Sequence, residues 1–427
     1  MSDSRLPPLP LGRSPRRHPR NPPGAGLSDG AARVDMPALR AYRLGRVRAQ
    51  LRARDYAGCL LYDPINIRYA LGARNMAVWT LHNAARYAFI PTEGPAVLFD
   101  FYNCGHLSAD LETVDEVRVA VAWYYFDSGP RSGEKAARWA AEVADLVGAH
   151  GGGNKRLAMD HCNPLGAAAL DGHGIEIHNG QEIMELARAI KSPDEIVLMN
   201  QAIAVCETGM ARMREALEPG MTENELWSIL HQVNIALGGE WIETRLLSSG
   251  SRTNPWFQEC GDRVIQPGEL VSFDTDLIGP FGYCADISRT YFCGPGRPSE
   301  NQRKFYRVAW DQIHANIEIM TPGTGFRELA ERGFRLPDSF LPNRYSALIH
   351  GVGLCDEYPF VPYREDFEAF GYDGVVEPGM VLCAESYVGE VGGEEGVKLE
   401  QQVLITERGP QVLSTYPFED ELLGREI

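Results

Sequence analysis

Apolar positions in the first part of this chain switch repeatedly between two periods, and the switches mark out its elements. From about Met36 the spacing of Leu39, Tyr42, Val47 and Leu51 predicts a helix, and Ala57-Gly-Cys-Leu-Leu-Tyr62 then reads as a strand. Asp63-Pro64 turns into another helix, and further strands are expected at Tyr87 to Ile90, Pro95 to Asp100 and Val117 to Tyr125. Glu134 to His150 is helical in period, Gly151-Gly152-Gly153 ends it, and Arg156 to Asp160 is strand-like again. This alternation predicts a small α/β domain over residues 36–190. Ser192-Pro193-Asp194-Glu195 then combines a capping serine, proline at the first helical position and glutamate at the third. It starts a long helix to about Leu217, and a second domain, 191–427, opens there.

In that second domain one frame occurs twice. Pro267-Gly268 is followed by Glu269-Leu-Val-Ser-Phe and Asp274; Pro378-Gly379 is followed by Met380-Val-Leu-Cys-Ala and Glu385. Each reads as a turn into a buried strand that ends on an acid, which is costly unless the acid is paired or binds a metal. A second pair, Pro219-Gly220 before Glu225-Leu226 and Pro322-Gly323 before Glu328-Leu329, repeats the order helix, Pro-Gly, helix, strands. Thr222 with Glu225 forms a capping box at the first of these helix starts. The two copies are too long for a solenoid repeat and predict one two-fold domain, with Asp274 and Glu385 facing across a pseudo-twofold axis.

Composition narrows the functions available. Among 427 residues, 41 basic against 58 acidic side chains leave a net charge of −17, which argues against a nucleic-acid or anionic-membrane surface. No apolar run is long enough to span a bilayer, and no secretory signal pattern is present. The nine cysteines are an odd number without a Cys-x-x-Cys pair, and read as free thiols of a reducing, cytoplasmic compartment. Residues 1–35 are rich in proline and arginine and read as a disordered or subunit-wrapping arm.

Five carboxylates and one imidazole stand out as candidate ligands: Asp274, Asp276, Asp286, His350, Glu385 and Glu400. Asp274 and Asp276 are two apart and would share one face of a strand. The turn Ile278-Gly279-Pro280-Phe281-Gly282 reads as a hairpin that returns Asp286 beside them. So many like charges on core strands would repel without a cation among them, and carboxylates with one imidazole suit two divalent ions such as Mn, Fe, Co or Zn. Cys284, Cys355 and Cys383 lie near these positions, where packing is the simpler reading than a sulfur ligand.

The segments Phe273-Asp-Thr-Asp, Tyr283-Cys-Ala-Asp286-Ile-Ser-Arg-Thr, His350-Gly-Val-Gly-Leu, Pro378-Gly-Met-Val and Lys398-Leu-Glu400 resemble the pita-bread metallopeptidase family of prolidase, creatinase and methionine aminopeptidase. The resemblance implies an α+β fold, a duplicated pita-bread C-terminal domain with a smaller α/β creatinase/prolidase-like N-terminal domain. It also implies a dinuclear site with Asp286 and Glu400 bridging. The chain departs from the family in informative places. Asp274 to Asp286 is one residue longer than the family spacing, and Asp276 stands where the family has glycine, leaving Asp274, Asp276 or both as ligands. The two further histidines of the peptidases fall at Phe257, beside Trp256, and at Asp356-Glu357.

Those departures resemble one branch, the DddP-type dimethylsulfoniopropionate lyases, as do Gly239-Glu-Trp-Ile-Glu-Thr-Arg-Leu-Leu, Thr253-Asn-Pro-Trp-Phe-Gln-Glu-Cys-Gly261 and Asp63-Pro-x-Asn-Ile-Arg-Tyr69. The branch implies a metal-dependent carbon–sulfur lyase that cleaves a zwitterionic sulfonium to dimethyl sulfide and acrylate. It implies iron as the metal, with Zn, Mn, Co or Ni left open, and a homodimer. Asp356 matches the branch's proposed base, with Glu357 next in line. A sulfonium favours aromatic faces; Tyr345 matches the branch, Trp256 and Phe257 lie near, and Trp79 and His82 are expected to line the pocket from the first domain or across a dimer interface. The alternative is a prolidase-like Xaa-Pro dipeptidase or aminopeptidase, or another small-molecule metallohydrolase.

Overall fold

A computed structural model describes residues 34–425, which divide into two compact units meeting in sequence at Arg188 and Ala189. The proline- and arginine-rich arm, save Val34 and Asp35, lies outside the described residues.

The unit Asp35–Arg188 is built on a six-stranded mixed sheet of order β4-β3-β2-β1-β5-β6. Its strands are β1 (Gly58–Leu61), β2 (Tyr87–Pro91), β3 (Val97–Asp100), β4 (Glu116–Val119), β5 (Arg156–Met159) and β6 (Glu176–Asn179). Every residue of β1, β2 and β3 is buried, as expected of strands covered on both faces. The helix Ser132–His150 presents Ala136, Trp139, Ala140, Val143 and Val147 at helical spacing to a core holding Phe89, Phe99 and Trp123. The strand expected to run to Tyr125 stops at Val119. Beyond it Tyr125–Ser128 makes a helical turn, closed by the Ser128 hydroxyl donating 2.9 Å to the Ala122 carbonyl.

The unit from Ala189 repeats itself. Each half opens with a long helix, Pro193–Ala216 or Glu300–Ile319, started by a complete capping box, Ser192 with Glu195 and Ser299 with Gln302. Each long helix runs into a Pro-Gly. Gly220 (φ 102°) donates to Ile265 and Gly323 (φ 85°) to Val376, and the helices Glu223–Ala236 and Phe326–Arg332 follow.

The strands of the first half are β7 (Trp241–Ile242), β8 (Leu247–Ser249), β9 (Leu270–Phe273), β10 (Leu277–Ile278), β11 (Cys284–Ala285) and β12 (Arg289–Phe292). Those of the second are β13 (Ile349–Val352), β14 (Asp356–Val361), β15 (Val381–Gly389), β16 (Gly396–Thr406) and β17 (Gly409–Val412). The strand after the second Pro-Gly is central in each half: β9 lies between β8 and β12, and β15 between β13 and β16. Gly268 (φ 87°) donates 2.7 Å to the Cys293 carbonyl, and Gly379 (φ 90°) 2.8 Å to Ile405. The left-handed backbone that makes both turns is cheap only for glycine. The halves meet along β12 and β16, where the Thr290 hydroxyl donates to the Lys398 carbonyl and accepts from the Lys398 N–H.

Candidate metal centre

The two halves bring their acids to one place. Strand β9 ends at Phe273, so Asp274, Thr275 and Asp276 lie on a break in the strand, with Asp276 at φ 34°. This corrects the expectation that both aspartates share a strand face: the positive φ at Asp276, not strand alternation, turns its carboxyl inward. Thr275 ties this break to the returning chain, its hydroxyl donating to the Ala285 carbonyl and accepting from the Ile287 N–H, each at 2.9 Å. Strands β10 and β11 pair Leu277 with Ala285 around the expected turn and set Asp286 beside the pair. In the second half Glu385 on β15 lies directly opposite Glu400 on β16, and His350 on β13 opposite Cys383.

Three groups result in which one ligand atom from each residue lies within 4.8 Å of the others: Asp274, Asp276 and Asp286; Asp274, Glu385 and Glu400; and Asp286, His350, Cys383 and Glu400. Asp274, Asp286 and Glu400 each belong to two groups and so link the three into one cluster. All are buried, and Asp286 Oδ1 and Glu400 Oε1 have no hydrogen-bond donor among the described residues. Buried carboxylate oxygens without donors are costly, and a divalent cation removes that cost. The donor set therefore fits two divalent ions.

The charges confirm how much the cluster needs cations. Burial, then Asp274 and Asp356, hold the Asp276 carboxyl well above the usual range, and burial, then Glu400 and Asp276, do the same to Asp286. Burial and Glu400 push Glu385 up to about 7. Burial works against Glu400 too, yet Lys398 and His350 hold it below the ordinary range, so Glu400 keeps its charge while its partner gives way. His350 Nε2 lies 3.2 Å from Glu385 and 3.6 Å from both Asp286 and Glu400.

Lys398 carries most of the compensation, and no role was assigned to it from the sequence. Its buried ammonium donates 2.6 Å to Glu385 Oε2 and 2.7 Å to Ser288 Oγ, and stands 3.0 Å from Asp274 Oδ2. The signal was available for the lysine: Lys398 is two residues before Glu400 on β16, so the two share one strand face.

The same ammonium joins the acids to the aromatic residues. It lies 4.5 Å from the Tyr345 ring centroid and 5.9 Å from that of Trp256. Phe257 stacks on Tyr345 at 5.3 Å, at φ 70° and 57% exposed, and Trp256 is buried against Tyr387. Asp356, at the start of β14, is 56% exposed at its side chain, with Oδ1 3.8 Å from His350 Nδ1. Glu357, the neighbouring acid, is buried and paired with the Lys191 ammonium. Trp79 and His82 belong to the other unit. Trp79 packs edge-on to Phe101 and Phe126, and the exposed His82 rims a cavity of about 290 Å³ with Tyr62, Tyr124 and His161.

Comparison with known proteins agrees with this geometry. The model of metallopeptidase family M24 matches residues 197–407. The dimethylsulfoniopropionate lyase DddP of Roseovarius nubinhibens is 46% identical over 94% of this chain and 91% of its own length; that of Roseobacter denitrificans is 43% identical over 92% and 90%. The chain belongs to the DddP branch of family M24. Solved structures share its fold: an Xaa-Pro dipeptidase from Bacillus anthracis superposes with a TM-score of 0.71 at 20% identity, covering 89% of this chain and 99% of that one. The prolidase of Pyrococcus horikoshii gives 0.69 at 21%, over 88% and 99%. The fold is the pita-bread α+β architecture, and family M24 enzymes work with a dinuclear divalent metal site.

Proposed function

We propose that this protein is a metal-dependent carbon–sulfur lyase that cleaves dimethylsulfoniopropionate to dimethyl sulfide and acrylate by β-elimination. The observation that carries the reading is end-to-end similarity to two DddP lyases, at 46% and 43% identity, across both units of the chain. The peptidase reading rests on peptidase relatives 26–28% identical over only 54–57% of this chain, and on solved structures near 20% identity that speak for the fold alone.

Asp274, Asp276, Asp286, His350, Glu385 and Glu400 would hold two divalent ions, and we assign iron to them on the resemblance to the DddP-type lyases, since the donor set suits Mn, Fe, Co and Zn alike. When bound, the ions would supply Lewis acidity at the substrate carboxylate, making the proton on the neighbouring carbon more acidic. Asp356 takes the proton from that carbon. The electron pair left behind closes the carbon–carbon double bond, the bond to sulfur breaks, and its electrons leave with neutral dimethyl sulfide. Asp356 is suited to this because it is exposed while its neighbours in the cluster are committed to one another. The sulfonium binds against Trp256, Phe257 and Tyr345, since a cation with little hydrogen bonding is held by ring faces. Trp79 and His82 are kept as substrate-binding candidates, and the assembly as a homodimer, on the resemblance to the DddP-type lyases. Nine cysteines without a disulfide support a cytoplasmic setting, and no helix among the described residues is long and apolar enough to cross a membrane.

The test is headspace dimethyl sulfide from iron-loaded protein given dimethylsulfoniopropionate, beside a chelated control and reloading with Zn, Mn, Co or Ni. Release above the control is expected. Silence from folded, metal-replete protein, with turnover of proline dipeptides, would replace this reading with the prolidase one.

A further inference from the structure

Glu223 opens the helix Glu223–Ala236 with its carboxylate fully buried, and every donor it meets belongs to one loop. Its Oε1 accepts from the Ser249 N–H at 2.9 Å and the Ser249 hydroxyl at 2.8 Å; its Oε2 accepts from the Gly261 N–H at 3.0 Å and from the Arg252 guanidinium. Arg252 in turn donates 2.7 Å to the Glu259 carbonyl. One carboxylate thus fastens both ends of the segment 249–261, whose tip carries Trp256 and Phe257.

The duplication shows that the fold does not need an acid there. Glu223 is four residues after Pro219; the residue four after Pro322 is Phe326, an apolar side chain that is equally buried. The tip, by contrast, needs holding. Phe257 keeps a left-handed backbone and an exposed ring, a conformation that persists only where its surroundings over-determine it.

We propose that Glu223 is a positioning residue for substrate binding: by closing the 249–261 loop it sets Trp256 and Phe257 at the sulfonium. This rests on the assignment of those rings to the sulfonium, and the test separates the two. In the metal-loaded full chain, Glu223→Gln should raise KM for dimethylsulfoniopropionate about five- to thirty-fold, the range of a lost cation–π contact. Metal content should be unchanged, kcat should stay within about twofold because the reacting groups are untouched, and amide exchange should quicken across residues 249–261. Glu223→Asp, which keeps the charge, should recover most of the affinity. Arg252→Met breaks the same clamp from its exposed end and serves if Glu223→Gln does not fold. Unchanged exchange in the loop, or an unchanged KM where Phe257→Ala raises it, overturns the proposal. An unchanged KM in Phe257→Ala itself overturns the sulfonium assignment instead.

Discussion

Glu385 and Glu400 stand directly opposite each other across β15 and β16, both buried. Like charges in that register are destabilising. The pair persists because Lys398 donates to Glu385 and His350 lies beside both, and because two cations would complete the neutralisation.

The metal-free protein should therefore lose stability as pH rises. Burial and neighbouring acids raise the carboxyls of Asp274, Asp276, Asp286 and Glu385, so the folded chain binds protons that the unfolded chain releases. His350, raised by Asp356 and Glu385 against the effect of burial, acts in the same direction. Only Glu400 runs the other way, and its contribution is lost at acid pH. The unfolding temperature of chelated protein should fall as pH rises from about 4, the ordinary carboxyl range, through about 7, where Glu385 gives up its proton. Metal-loaded protein should not show this decline, because the ions hold the carboxylates charged. A flat profile for the chelated sample would contradict the cluster described here.

Asp286 belongs to two of the three ligand groups and has an oxygen with no other donor among the described residues. On the proposed bridging role, replacing it with alanine would remove a ligand from both ions at once. Asp286→Ala should retain well under half the metal of the parent, as measured by elemental analysis after dialysis, and should lose turnover with it. Two metals per chain in that variant would show that Asp286 does not bridge.

Much of this centre was legible before the structure, and the exceptions share a cause. The Pro-Gly frames are local signals: a glycine with positive φ at Gly268 and Gly379 needs only its own neighbours to be read. The acids were visible because they interrupt apolar runs. Asp276 stands beside Asp274 and Asp286 as its spacing suggests, but not by strand alternation, because β9 stops at Phe273. Lys398 was overlooked because a lysine within a strand looks ordinary until register sets it against Glu385, Asp274 and Ser288. Glu357 looked interchangeable with Asp356 because its partner, Lys191, is far away in sequence.

Lys398→Met tests the buried cation. It leaves Asp274, Glu385 and Glu400 without their ammonium, and breaking one side of a buried ion pair costs about 3 kcal/mol or more. The metal-free variant should unfold at markedly lower denaturant than the metal-free parent. Equal midpoints would mean that the ammonium does not offset the acids.

Asp356 and Glu357 are adjacent, and their substitutions should separate chemistry from stability. Asp356 is exposed near His350, and its replacement by asparagine removes the proposed proton acceptor while leaving every proposed ligand in place. Asp356→Asn should abolish dimethyl sulfide release with metal content and unfolding midpoint unchanged. Glu357 is buried against Lys191, and Glu357→Gln strands that ammonium in the interior at a cost of about 3–5 kcal/mol. It should lower the unfolding midpoint, while the folded fraction turns over substrate near the parent rate. Turnover surviving in Asp356→Asn but lost from folded, metal-replete Glu357→Gln would move the base by one residue.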